Sequence, residues 1–442
     1  MKINKIVVRN FKSLKYCDTE LGEFNILIGP NGSGKSNFIE IFELLRSIYV
    51  GYTQNPFLKW WGYDHVVWNK DEKLNISFEI CFSEKDYIIT FYTEFTGIGG
   101  NFKIIKETIK INKVLTISNT GKTIHIEYDD NYFKKILDLE KNIPSYMRHD
   151  EPLKSQIRKA YSIEMSDRGL HQNNIFNRLD KIMQRPRRMQ REKKYTYYSL
   201  YKYPEDVFKD TEKEKIILIF PNIERTHLVK YIVKNINQFF QAPVLQRLNF
   251  EQMKNPFRVS NDMDIKNDAS NFCVVLYNLF LKDNRVPNII NRFIYEIFPD
   301  FKLLFKASTD GRIFITLKSS ETEFYPPSLS DGFFKILALA TIIELNPKII
   351  IIDEIEDSLF ARIIELFISI VKENKIQLLI STHSPYVVDI AEPNDLLIFS
   401  NSSNISTSIC KFKSPNLIRE ELNRLKITLS EKWLFSSDND LE

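Results

Sequence analysis

A mixed α/β fold, with a parallel sheet at its centre and an antiparallel β subdomain beside it, is what this sequence predicts on three observations. The apolar run Phe24 to Ile28 leads through a glycine-rich turn into a helical pattern with Phe38, Ile41, Phe42, Leu45 and Ile48 on one face. Four successive isoleucines, Ile349 to Ile352, lack alternation, as a parallel strand buried on both faces would. Between Leu74 and Tyr128, strand-like segments are separated by turn signals such as Gly97 to Gly100 and Asn119 to Gly121, the pattern of an antiparallel meander.

Taken in order, Ile3 to Val8 and Phe24 to Ile28 read as the first strands and Asn37 to Ile48 as the first helix. The meander follows at Leu74 to Cys81, Tyr87 to Glu94, Ile109 to Ile117 and Thr123 to Tyr128. From about residue 131 to 300 the chain turns charged and helix-compatible, with one strand-like interruption at Ile216 to Phe220 and no sustained heptads, which argues against a long coiled-coil arm. Strands return at Ile313 to Leu317, Ile349 to Asp353, Gln377 to Ser381 and Asp395 to Phe399. The expected organisation is a core in two halves, 1–130 and 301–442, around a mainly helical insertion at 131–300 that is basic at 181–203.

With 442 residues, 43% of them hydrophobic, the chain can bury a large core. No apolar run approaches the roughly 20 residues that a membrane helix needs, so the expectation is a cytoplasmic protein with no membrane association. Cys17, Cys81, Cys273 and Cys410 are scattered without metal-like spacing and read as buried thiols. The net charge of +4 is unevenly placed: Lys181 to Lys202 carries eight basic residues and one acid, a local charge of +7 that leaves about −3 for the rest.

The turn after Ile28 is GPNGSGKS, Gly29 to Ser36, which fits G-x-x-x-x-G-K-[ST]. Strand, glycine loop and helix in that order predict a P-loop NTPase. Glycines let backbone N–H groups turn toward phosphate oxygens, and the helix N-terminus adds the positive end of its dipole. Asn31, Gly32, Ser33, Gly34, Lys35, Ser36 and Asn37 are therefore the candidate ATP-binding residues. Lys35 would reach the β- and γ-phosphates, and the Ser36 hydroxyl would bind Mg²⁺. The isoleucine strand ends in Asp353 and Glu354, at the C-terminal edge where open α/β sheets bind ligands. Asp353 is the second candidate Mg²⁺ residue, and Glu354 the candidate base for the attacking water.

Two further motifs complete an order along the chain: SLSDGFFKILALATIIEL from Ser328, a loop followed by an amphipathic helix, and STHSP from Ser381. Together with KIVVRNFKSL, GEFNILIGPNGSGKSN, IIIIDEIEDSLF and LLISTHSPYVVDI, they make the chain resemble ABC-type ATPases of the SMC/RecF/OLD-like group, specifically its compact AAA-family members without a Toprim nuclease domain. The terminal EKWLFSSDNDLE is similar to tails of those members, and the resemblance covers roughly residues 1–60 and 265–442. It implies an ABC-ATPase-like core and a homodimer formed on ATP binding, each nucleotide held by the phosphate loop of one protomer and the LSxG signature of the other. Ser330 and Gly332 would then touch the γ-phosphate in trans, Asp357 would line the dimer seam, and His383 would sense the γ-phosphate. A glutamine associated with the metal is implied as well, and Gln54 is the nearest candidate. Ile355 stands where relatives usually carry proline, and Phe360 where many carry histidine. Phe333 and Phe334 follow the signature glycine where smaller or polar residues are common, and read as core or as a dimer contact.

Arg185 to Tyr203, RPRRMQREKKYTYYSLYKY, interleaves cations with five tyrosines. Arg185, Arg187, Arg188 and Arg191 would neutralise nucleic-acid phosphates while tyrosine rings stack on bases. The alternatives to that reading are a solvated helical arm with a packed tyrosine strand and, after it, a site for an acidic protein. Only 59 residues follow His383, too few for a Toprim domain, so any nuclease or toxin activity is expected in a separate subunit. The leading functional expectation is an ATP-hydrolysing, dimerising ATPase in DNA maintenance or anti-phage defence. The alternatives are a non-catalytic ATP-dependent scaffold for a toxin or nuclease, and a transporter ATPase subunit. The 318 residues separating Lys35 from Asp353 argue against the last.

Overall fold

The structure is a computed structural model that describes residues 1–51, 53–84, 86–120, 123–130, 160–164, 174–176, 221–401 and 406–434. Its strands are β1 (Lys2–Phe11), β2 (Leu14–Glu20), β3 (Phe24–Ile28), β4 (Ile76–Glu84), β5 (Tyr87–Thr96), β6 (Lys103–Ile111), β7 (Leu115–Asn119), β8 (Thr123–Tyr128) and β9 (Ala160–Glu164). Then come β10 (Val244–Leu245), β11 (Lys302–Ala307), β12 (Ile313–Lys318), β13 (Glu323–Phe324), β14 (Ile349–Ile352), β15 (Gln377–Ser381), β16 (Leu396–Asn401) and β17 (Thr407–Cys410). The helices that matter here are α1 (Lys35–Tyr49), α2 (Phe272–Asp283), α3 (Asn288–Ile297), α4 (Asp331–Glu344) and α5 (Ala361–Glu373).

The chain divides into two compact units, one of Met1, Ile3–Lys12 and Ser47–Asn237, the other of Lys2, Ser13–Arg46 and Gln238–Glu442. This grouping differs from the expected 1–130 plus 301–442 around an insertion. Residues 238–300 belong to the second unit, because Val244 and Leu245 extend its parallel sheet and α2 and α3 pack on α4.

In the first unit, β1 and β4 to β9 lie in that order, and β4 to β9 pair antiparallel. Burial alternates along the meander strands: Ile76, Phe78, Ile80 and Phe82 of β4, and Ile89, Phe91, Thr93 and Phe95 of β5, all point inward. The single strand expected at Ile109 to Ile117 is two strands. A turn at Lys113, with φ of 56°, separates β6 from β7, and the Asn112 carboxamide oxygen accepts from the Ile88 N–H. An apolar run shows where strands lie, and here the turn chemistry hid between isoleucines.

The second unit is built on the sheet β10-β14-β15-β3-β16-β17, parallel except for β17 against β16. Every residue of β3, β14 and β15 is buried, which is why these strands are apolar without alternation. A small antiparallel sheet, β11-β12-β13, belongs to the same unit. The predicted amphipathic helix is α4, and it is buried almost all round: Phe333 to Ile343 are inside, with Phe333 against Phe298 and Phe334 against Phe272. Phe333 and Phe334 are thus core residues, covered by neighbours from the 238–300 stretch that the sequence placed in an insertion.

Candidate functional site

The two apolar strands bring the predicted loops to one edge of the second unit. β3 and β14 flank β15 in parallel register, Leu379 pairing with both Asn25 and Ile351. The C-terminal ends of all three therefore lie side by side, and each opens into a loop carrying polar residues.

The phosphate loop holds its shape through three glycines with φ of 145° (Gly29), 78° (Gly32) and 102° (Gly34). A Cβ on Gly34 would fall 2.1 Å from Thr407 Oγ1, so the loop lies directly on that side chain. Behind it runs a hydrogen-bond chain: Asn37 Nδ2 donates to Ser13 Oγ at 2.7 Å, and Ser13 Oγ meets Thr407 Oγ1 at 2.7 Å. Asn37 thus points to Ser13 rather than into the loop. Asn31, Gly32 and Ser36 are exposed, and nothing lies within 4 Å of a Cβ built on Gly32. The Ser33 hydroxyl is buried and has no hydrogen-bond partner among the described residues. Lys35 is 6% exposed and donates to the carbonyls of Gly29 at 2.8 Å and Pro30 at 3.1 Å. Burial pulls its ammonium below the usual lysine range, while the carboxylates of Asp353, Glu354 and Glu356 pull it back up.

At the end of β14, Ser381 of β15 does two things at once. Its hydroxyl donates to Asp353 Oδ1 at 2.5 Å and accepts the Glu354 N–H at 2.8 Å. Glu354 is exposed and sits in the left-handed region at φ 53°, so the chain turns sharply straight after Asp353. Ile355 is fully buried where a proline was expected from the resemblance, and its N–H bonds the Ser381 carbonyl at 3.1 Å. Glu356 then accepts from Thr382 Oγ1 at 2.8 Å and from the His383 N–H at 2.6 Å. The His383 and Asp357 side chains are exposed, as is Phe360, at 85%.

The signature segment meets this loop within the same unit. Ser330 caps α4, its hydroxyl accepting from the Phe333 N–H at 3.2 Å, and Asp331 pairs with Lys254 at 2.6 Å. A Cβ on Gly332 would lie 2.4 Å from the Ser358 carbonyl oxygen, so only glycine permits the approach. One turn further, Lys335 is 2% exposed and donates to the carbonyls of Glu354 at 3.2 Å and Asp357 at 2.6 Å. Burial brings its ammonium down to about 8 against the pull of Asp357, Glu356 and Glu354.

Sequence reasoning assigned no role to Ser13, Lys335, Glu356, Ser381 or Thr407. A lysine amid the apolar FFKILALATII was a visible signal; the others act across 24 to 394 residues of chain and left none. Gln54 is exposed and belongs to the first unit, not to the unit holding the phosphate loop. Arg185, Arg187, Arg188 and Arg191, the strand-like Ile216 to Phe220 and the last eight residues lie outside the described residues. Among those described, no helix is long and apolar enough to cross a membrane.

The model of the family described as "AAA ATPase domain" matches residues 1–272, more than half of the chain. The chain belongs to that family. A second model, "AAA domain, putative AbiEii toxin, Type IV TA system", matches residues 201–389 of the chain. The order of its motifs resembles that of SMC/RecF-like, ABC-type ATPases, and its fold is the α/β fold of a P-loop ATPase. It is 44% identical over 46 residues to the DNA replication and repair proteins RecF of Vibrio campbellii and Vibrio cholerae, a match spanning 10% of this chain and 13% of theirs. Similar solved structures include the SMC head domain from Thermotoga maritima (TM-score 0.37, 15% identity, 92% of this chain and 98% of that one). Another is the Smc head domain with an extended coiled coil bound to the C-terminal domain of ScpA, derived from Pyrococcus furiosus (TM-score 0.45, 12% identity, 96% and 99%).

Proposed function

We propose that this chain binds ATP and hydrolyses it, with two protomers sandwiching the nucleotides, and that the cycle serves DNA maintenance or anti-phage defence. The observation that carries this reading is the meeting of segments 318 residues apart: β3 and β14 flank β15 in parallel register, so the phosphate loop and the Asp353–Glu354 turn open from neighbouring strand ends. Lys35 holds the β- and γ-phosphates, and the exposed Glu354 carboxylate takes a proton from the attacking water. The Ser36 hydroxyl and the Asp353 carboxylate are the hard oxygen donors that suit Mg²⁺, which takes one or two protein ligands and fills its shell with phosphate oxygens and water. No cluster of three His, Cys, Asp or Glu among the described residues could hold a metal alone, and this arrangement needs none. When bound, Mg²⁺ neutralises charge on the β- and γ-phosphates.

Ser330 and Gly332 face the partner's nucleotide, Asp357 lines the seam, and His383 contacts the γ-phosphate. A cytoplasmic location is proposed with this reading. The RecF relatives' role in DNA replication and repair supports a DNA partner, engaged by Arg185, Arg187, Arg188 and Arg191. The toxin wording of the second family model supports defence with a separate toxin or nuclease subunit.

The test is the ATP hydrolysis rate with and without duplex DNA, against Glu354→Gln. Wild-type turnover should exceed that of the variant by about 100-fold or more, with ATP retained by the variant. If the wild type binds ATP yet turns over no faster, hydrolysis is excluded and the non-catalytic scaffold takes its place.

A further inference from the structure

One carboxylate ties the loop after the acidic strand to the loop that carries His383. Glu356 Oε2 accepts from the Thr382 hydroxyl at 2.8 Å, and Oε1 accepts from the His383 backbone N–H at 2.6 Å. The Thr382 hydroxyl also accepts the Ser384 N–H at 3.0 Å, so three consecutive residues are organised around one side chain. Thr382 is fully buried, Glu356 is half-buried and His383 is exposed. The grip is therefore on backbone and hydroxyl, and the imidazole stays outside it. Both bonds end on a carboxylate, which makes them about twice as strong as their neutral equivalents. Lys35 and Lys335 both lie in the field of the same group, one from the phosphate loop and one from the signature helix.

We infer that Glu356 is a positioning residue for His383: it couples the backbone of the histidine loop to the turn that carries Glu354. A displacement of the acidic turn is then passed to His383 through two hydrogen bonds rather than lost in a flexible connection. The inference rests on the hydrolytic reading above for its consequence in turnover, but not for the clamp itself.

Glu356→Gln is close to isosteric, keeps one acceptor and sets an NH₂ against the other donor. Hydrogen exchange at the His383 amide should quicken by about tenfold or more. The kcat for ATP should fall by about tenfold while the Kd for ATP changes less than about twofold. In a His383→Ala background the same substitution should change kcat by less than about twofold, because the group it positions is gone. Thr382→Val, which removes only the hydroxyl partner, should quicken the same amide to a smaller degree. Unchanged exchange at His383 in Glu356→Gln, or an equal loss of kcat in both backgrounds, would overturn the inference. A wild type without turnover would defeat the hydrolytic reading alone, since the exchange rate still decides the clamp.

Discussion

Two side chains at the site, Lys335 and the absent one of Gly34, are governed by how little room surrounds them. A Cβ on Gly34 would fall 2.1 Å from Thr407 Oγ1, at a φ of 102° that side chains avoid. Gly34→Ala should cost about 1–3 kcal/mol of stability and empty the loop of nucleotide, read by chemical denaturation and by ATP titration. Lys335 makes a prediction about pH. Its folded pKa of about 8 lies below the lysine value of 10.5, so between them the unfolded chain carries a proton that the folded one lacks. Unfolding then takes up a proton, and raising the pH opposes it. Wild-type stability should therefore rise across that window relative to Lys335→Met, measured as the pH slope of denaturant midpoints. Parallel slopes for the two proteins would mean that Lys335 is not depressed.

At the scale of elements, the site is a junction of strand ends, and Ser381 stitches two of them. Its hydroxyl serves Asp353 and the Glu354 N–H from the adjoining strand, and it is fully buried. Ser381→Ala leaves the partly buried Glu354 N–H and one Asp353 carboxylate oxygen short of a partner, at a cost of about 1 kcal/mol. If the denaturation midpoint is unmoved, the stitch contributes nothing measurable. The meeting of α4 with the turn at Ser358 rests on the missing side chain of Gly332 and on Lys335 reaching two carbonyls. Signature helix and acidic turn are thus one packed piece within the second unit, and a substitution in either is expected to be felt in the other.

At the scale of the whole molecule, the proposal is a dimer that forms on ATP. Ser330→Arg should block turnover and leave ATP binding within about threefold, since its effect lies in the partner's site. Sedimentation should show ATP-dependent dimers for Glu354→Gln and monomers for Glu354→Gln with Ser330→Arg. Turnover of Ser330→Arg at the wild-type rate would defeat the composite site. Neutralising Arg185, Arg187, Arg188 and Arg191 together should weaken duplex DNA binding and flatten its salt dependence by up to about four units of slope. Equal affinity and slope would remove that segment from the interface.

By itself the sequence determined the chemistry available at each strand end. Gly29 to Ser36 needed its glycines in place to form the loop, and four isoleucines before Asp353 needed burial on both sides, because local sterics and hydrophobicity decide such short segments. Which strands are neighbours, and which residues hold the functional ones still, was decided by tertiary structure. Val244 and Leu245 form too short a run to be read as a strand, yet they flank the acidic strand. Ser13 and Thr407 steady the phosphate loop from 394 residues apart, and Glu356 reaches a histidine loop 26 residues on. Contacts of that separation leave no periodicity in the chain, since they are satisfied by distance in space and not by spacing along the backbone.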